Sequence, residues 1–397
     1  MNAGSTTGRP LHVLIAGGGV AGLEALLALK RHAQERVSIE LMAAEPQFWY
    51  RPLAVAEPFG LGNVHGLDLS EIADECSALF TLGRLDSVDP ERHVARSSAG
   101  TELDYDVLLI AVGARAVESI PGAFTFRGPA DSEAFGSLLE ELAESEAKRV
   151  VFAVPGAVGW PLPLYELALQ TATRLPTLEV VVVTHEEVPL ELFGLAASSA
   201  IAKLLADRRI RVRTSSYPVA FQNRSLLLTP DWELEADHVI ALPRLKGPRI
   251  EGIPSDSQGF IPTDGSGCVA GLEDVFAAGD ATAFPVKQGG LAAQQADAAA
   301  EEIACLAGAD VAAEPFQPVL RGLILTGGTP LYARAELSRA GLPASVATDA
   351  LWWPAVKIVG RYLAPFLAER SGAILDPPGQ FEGISVEADL SSLAAAK

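Results

Sequence analysis

Cysteine is almost missing from this chain, with Cys76, Cys268 and Cys305 the only three in 397 residues. They lie far apart and show no CxxC spacing, which excludes a redox-active dithiol and a thiolate zinc site. No metal centre is expected, and each cysteine reads as a small buried hydrophobe. Basic residues are also short: 30 Lys and Arg stand against 50 Asp and Glu, a net charge of −20. With a pI near 4.7, the chain lacks the basic surface that nucleic-acid binding needs. No charge-free apolar run reaches the roughly 18 to 20 residues of a spanning helix. The opening MNAGSTTGRP has no apolar h-region and so no secretory signal, and a cytoplasmic protein is expected. What the chain has is apolar mass: 49% hydrophobic residues and a mean hydropathy of +0.24. That is enough for two or three packed domains.

The apolar run Val13 to Ala16 enters Gly17-Gly18-Gly19-Val20-Ala21-Gly22 and leaves into Leu23-Glu24-Ala25-Leu26-Leu27. This is strand, tight turn, helix. Gly17 permits the sharp turn, Gly19 keeps side chains off a pyrophosphate, and Gly22 lets helix and strand pack closely. The helix N-terminus offers free N–H groups and a positive dipole end to phosphates. Far downstream, Val275-Phe276-Ala277-Ala278-Gly279-Asp280 closes a second strand on an aspartate. The pair, in this order, points to FAD held by a two-part Rossmann domain.

The expected fold is α/β, with tandem Rossmann-like domains and a C-terminal capping segment. Residues 1–125 and 250–310 form the FAD-binding domain, and 126–249 an inserted domain of the same kind. Residues 311–370 cap the molecule, and 371–397, with Pro377-Pro378, read as a mobile tail. The second strand ends near Ala43, where an acidic side chain should accept ribose hydroxyls; Glu45 is the candidate. In the insertion, Arg149 to Val154 leads into Pro155-Gly156-Ala157-Val158-Gly159-Trp160. This is a degraded glycine turn, since Val154 stands where the first glycine belongs. Gly156, Gly159 and Glu186 are the candidates for a nicotinamide cofactor.

Together, GGGVAGLEA, FWYRPL, YDVLLIAVGA and VFAAGDATAFPVKQGG resemble the flavoproteins with two dinucleotide-binding domains. The nearest branch comprises sulfide:quinone oxidoreductases, flavocytochrome c sulfide dehydrogenases and type II NADH:quinone dehydrogenases. The resemblance implies FAD and electron transfer to a quinone or another acceptor. It adds Val20, Ala21, Arg51, Pro52, Ala111, Gly113, Gly279, Gly289 and Gly290 to the cofactor residues. It places Asp280 on the ribityl or pyrophosphate region and Lys287 near the flavin's pyrimidine edge. A lysine and a helix N-terminus at Gly290 would stabilise negative charge there.

The resemblance also has gaps. Sulfide:quinone oxidoreductases use a cysteine pair; here one place is Trp160, and the other, near Arg321-Gly322-Leu323-Ile324, has no cysteine. Persulfide chemistry needs a thiolate, so sulfide oxidation by that route is not expected. Trp160, where type II dehydrogenases place a glutamate, either stacks on the flavin or fills a domain interface. Ala293-Gln294-Gln295-Ala296 matches part of a quinone-site element and makes Gln294 a candidate. Trp352, Val356, Val359, Leu363, Phe366 and Leu367 recur at helical spacing, with Pro354 in the first turn and Pro365 near the end. Basic Lys357 and Arg361 flank that stripe, which suits either an interfacial helix or a cap over the flavin; the acidic surface disfavours anionic lipid. NADH is the leading donor. Two alternatives stay open: oxidation of a small sulfur or organic substrate without nicotinamide, and a redox-sensing flavoprotein or complex subunit. A homodimer is compatible with all of these.

Overall fold

The computed structural model describes residues 9–145, 147–230, 232–337 and 344–371. Two five-stranded parallel sheets organise the chain. In the first, strand Leu11–Ala16 lies between Val37–Ala43 and Val107–Ile110, with Leu79–Leu82 and Val275–Ala277 outside them. Val13 to Ala16 are fully buried, as a central parallel strand covered on both faces must be. Helix Val20–His32 packs on helix Gly289–Leu306 through small residues, among them Ala21, Ala25, Ala292 and Ala296.

The second sheet repeats the plan. Strand Arg149–Ala153 lies between Glu179–Val183 and His238–Ala241, with Arg211–Arg213 and Phe124–Thr125 outside. Phe124–Thr125 already belongs to this sheet, so the second unit begins slightly before the expected 126. The chain passes between the units twice, and the two passages pair antiparallel, Arg115–Val117 with Arg244–Lys246. Helix Leu162–Arg174 is buried along most of its length.

Residues 319–347 form an antiparallel sheet of Val319–Ile324, Leu331–Glu336 and Ser345–Ala347. Alternate residues of its first strand, Leu320, Gly322 and Ile324, face inward. Gly322 is required there, because a Cβ would stand 2.6 Å from the Phe193 ring.

The C-terminal segment differs from the sequence expectation. No single helix runs from Trp352 to Leu367. Residues 351–362 are irregular, and the helix is Leu363–Arg370. Pro365 sits in its first turn, where a missing N–H costs nothing, so it helps begin the helix rather than end it. The apolar residues turn inward: Trp352, Ile358 and Leu363 are buried, and Phe366 and Leu367 pack on the first domain's core. The stripe therefore covers the chain's own interior. The proposed tail lies outside the described residues from 372 onward. No helix among the described residues is long and apolar enough to cross a membrane.

Candidate functional site

The glycine turn is shaped as its sequence requires. Gly17 has φ +129°, and a Cβ would stand 2.2 Å from the Ala111 carbonyl oxygen. A Cβ on Gly22 would stand 1.8 Å from the Gly17 oxygen, whereas Gly19 faces open space. Helix Val20–His32 has no side-chain cap at its N-terminus, so its first N–H groups remain for an anion. Gly113, at φ +73°, also faces open space. Gly279 brings the second motif to the first: a Cβ there would sit 3.1 Å from Ala21 and 3.3 Å from Ala292. Its N–H donates to Gln295 Oε1 at 2.8 Å. Asp280 makes no protein hydrogen bond among the described residues. Burial raises its pKa, opposed by Lys287 and Arg51. An open cradle, an uncapped helix and an unpaired carboxylate fit a dinucleotide pyrophosphate and its sugar hydroxyls. Glu45 is exposed just beyond strand Val37–Ala43.

Both domains and the C-terminal segment wall a cavity of about 640 Å³. Arg51 and Pro52 of the first domain reach it, with Lys287 and Gly289 from the return segment, Gly159 and Trp160 from the second domain, and Arg321 and Lys357 from the cap. Lys287 Nζ donates to the Thr282 carbonyl oxygen and lies 3.9 Å from the Phe260 ring centroid. Burial pushes its pKa down to about 8, against the pull of Asp280 and Asp256. Trp160 is half-buried. Its ring packs at 5.8 Å from that of Phe193 of the same domain while lining the cavity.

Three expected roles change. Gln294 points away from the cavity: its amide nitrogen donates to Gly290 and Val319 oxygens, both at 2.9 Å, and its oxygen accepts from Val319 N–H. With donor and acceptor both held by backbone, it anchors the cap's first strand. Helix Gly289–Leu306 is capped by Gln288, whose Oε1 accepts from Leu291 N–H at 2.8 Å. The N-terminus at Gly289 and Gly290 is thus partly satisfied by protein. Glu186 is buried and accepts from Tyr165 Oη at 2.7 Å and Thr184 Oγ1 at 2.8 Å, so its carboxylate faces inward. Gly159 also has a structural task. A Cβ there would stand 2.1 Å from the Pro285 carbonyl oxygen, while one on Gly156 would meet only Tyr217, at 3.5 Å.

The sequence reading missed the pair that closes the cavity. Lys357 Nζ donates to both Glu166 oxygens, at 2.6 and 2.7 Å, with side-chain exposures of 8% and 1%. Glu166 also accepts from Leu325 N–H; burial raises its pKa and Lys357 opposes this. Tyr50 Oη accepts from Ile358 N–H at 3.0 Å. A lysine off an apolar stripe and a glutamate inside a buried helix were the only traces of this contact in the sequence. None of the three cysteines lines the cavity. Cys76 is buried in the first domain's core, and Cys268 and Cys305 donate to the carbonyl oxygens of Leu272 and Val311, each at 3.1 Å. Among the described residues no cluster could hold a metal.

Two parallel-sheet units that share a cavity, one keeping an open glycine cradle, define a dinucleotide-dependent oxidoreductase with tandem Rossmann-like domains. The chain belongs to the pyridine nucleotide-disulphide oxidoreductase family, whose model matches residues 11–302, and it is an FAD-dependent member. It is similar to the sulfide-quinone reductase of Aquifex aeolicus (strain VF5), 24% identical over 299 residues. That match covers 70% of this chain and 63% of the relative, so it spans less than two thirds of the relative's length. The biphenyl dioxygenase system ferredoxin–NAD(+) reductase component of Paraburkholderia xenovorans (strain LB400) is 25% identical over 296 residues, covering 70% and 69%. Among solved structures, the sulfide:quinone oxidoreductase of Aquifex aeolicus superimposes with a TM-score of 0.76 at 18% identity, covering 85% of this chain and 87% of that one.

Proposed function

We propose that this protein passes electrons from a small diffusible donor to a quinone or another diffusible acceptor through FAD, with Gly17, Gly19, Gly22, Gly113, Gly279 and Asp280 holding the cofactor. The observation that carries this reading is the open Gly19 cradle together with a cavity walled by three parts of the chain, linked by Lys287 and Arg51, which line the cavity and act on Asp280. Bound FAD supplies the two-electron chemistry. The residues position, tune and exclude. Gly19 and the uncapped helix receive the pyrophosphate, Asp280 accepts from sugar hydroxyls, and Lys287 offers a positive charge to the cofactor's electron-rich edge. Trp160 and the Glu166–Lys357 pair bound the space a donor would enter.

The donor reaches the cavity directly in this reading. Gly159 packs against the Pro285 carbonyl oxygen, and one oxygen of Glu186 is held by Tyr165 and Thr184. NADH is the second reading, favoured by the uncapped N-terminus of helix Leu162–Arg174. The deciding experiment is anaerobic: flavin absorbance is followed with NADH, NADPH and sulfide in turn, then with a soluble quinone added to the reduced protein. Quinone should reoxidise the flavin, and sulfide should reduce it poorly. Trp160→Ala should alter reduction more than reoxidation, because transfer requires reactants at roughly 3 to 3.5 Å. Rapid sulfide reduction abolished by Cys76→Ser, Cys268→Ser or Cys305→Ser would refute the assignment of those thiols. A reduced flavin that no quinone reoxidises would refute the acceptor.

A further inference from the structure

The cavity is positive inside a strongly negative protein. Arg51, Arg127, Lys287, Arg321 and Lys357 line it against one carboxylate, Glu166, in a chain of net charge −20. Most of these cations are accounted for. Lys357 is held by Glu166 and Arg127 by Asp131. Lys287 donates to Thr282 and lies over Phe260. Arg51 pulls on Asp280.

Arg51 and Arg321 are in hydrogen-bond or ion-pair contact with no described residue; Arg321 is attracted by Glu336 and repelled by Arg334. It sits on strand Val319–Ile324, whose backbone is fixed over the cavity by the Gln288 amide donating to the Arg321 carbonyl oxygen at 3.2 Å. Its cross-strand neighbour Arg334 has a partner, Glu336, at 2.9 Å. The Arg321 guanidinium has no hydrogen bond or ion pair among the described residues, although it is only partly exposed. A half-buried cation with no acid in ion-pair contact is costly, and a planar fork of donors matches a carboxylate in two-point geometry. The cavity it lines also has apolar and aromatic walls, with Trp160, Phe126, Phe284 and Leu323.

We propose that this cavity selects small organic anions, a carboxylate on an apolar frame, and that Arg321 is the residue that binds the carboxylate. The proposal rests on reading the cavity as the donor or acceptor site and narrows the class of molecule that enters it. A phosphate of a dinucleotide is the other source of anionic charge. In βαβ units phosphates seat at helix N-termini, whereas Arg321 stands on a strand of the cap and lines a cavity with aromatic walls, so the carboxylate is favoured.

The test titrates the flavin-bound protein with benzoate, its neutral isostere benzamide and inorganic phosphate. Flavin absorbance and calorimetry are read together. Benzoate should bind at least tenfold more tightly than benzamide or phosphate. Arg321→Gln should weaken benzoate at least tenfold and leave benzamide unchanged, with Arg321→Lys in between. Equal affinity for benzamide, tighter binding of phosphate, or benzoate affinity unmoved in Arg321→Gln would overturn the proposal. Should Arg321→Gln fail to fold, the benzoate–benzamide ratio of the native chain and the Arg321→Lys value decide. A native chain that carries no flavin would refute the proposed function, while calorimetry would still report whether an anion binds through Arg321.

Discussion

The two Rossmann-like units share one strand plan and differ at the same turn. In the first, Gly17 and Gly22 are demanded by backbone atoms within 2.2 Å of their missing Cβ atoms, and Gly19 opens outward. In the second, Val154 replaces the first glycine, the Pro285 carbonyl presses on Gly159, and the acid after the second strand is folded inward onto Tyr165 and Thr184. Both turns keep an open middle glycine, Gly19 and Gly156, and a third glycine pressed by backbone, Gly22 and Gly159; they differ at the first position, where Gly17 turns at φ +129° and Val154 stands in its place.

The strongest way to break that comparison is substitution at matched glycines. Gly17→Ala places a Cβ 2.2 Å from the Ala111 oxygen at φ +129°. It should cost on the order of 3 kcal/mol or more and abolish flavin retention. Gly156→Ala meets Tyr217 at an ordinary 3.5 Å and should stay within about 0.5 kcal/mol of the native chain. Gly159→Ala should lower the melting temperature yet leave flavin in place. Thermal melts beside flavin absorbance check all three, and flavin loss in Gly156→Ala would erase the distinction.

The cap grips the two units by different chemistry, which sharpens the comparison further. On the second unit it uses the buried Glu166–Lys357 ion pair. Lys357→Met leaves a buried carboxylate unpaired and should cost about 3 to 5 kcal/mol in a denaturant titration; Glu166→Gln with Lys357→Met should recover part of it. Full stability in the single variant would show that the pair is incidental.

On the first unit the cap rests on Glu24, whose oxygens accept from Tyr362 and Leu363 N–H at 2.7 and 2.8 Å. Asp297 lies beside it, its pKa pushed up to about 9 by burial and by Glu24. That proton is bound in the fold and lost in the unfolded chain, where Asp titrates near 3.8. Its contribution is full at acid pH, declines through neutrality and is gone above about 9. Asp297→Asn should therefore flatten the fall in stability between pH 7 and 9, a shift of about 1 to 2 kcal/mol by linkage. An unchanged pH profile would remove the shared proton.

These contacts also show what the sequence could carry. Strand Leu11–Ala16, its glycine turn, the valine strands of the second sheet and Asp280 are local patterns, and they were legible because periodicity and glycine spacing act over a few residues. The cap was not legible. Lys357 meets Glu166 across 191 positions, and Ile358 meets Tyr50 across 308. A stripe at helical spacing was therefore read as one helix, although tertiary contacts hold residues 351–362 irregular. For Gln294 and Glu186 the position on an element was visible, but not the carbonyl or hydroxyl each side chain meets.

The central claim is that the first unit alone holds the flavin, and its direct test is flavin content per chain after acid precipitation. About one FAD per native chain should be released into the supernatant, near none from Gly17→Ala, and about one from both Gly156→Ala and Glu186→Gln. A colourless native protein, or loss of flavin in either second-unit variant, would contradict it.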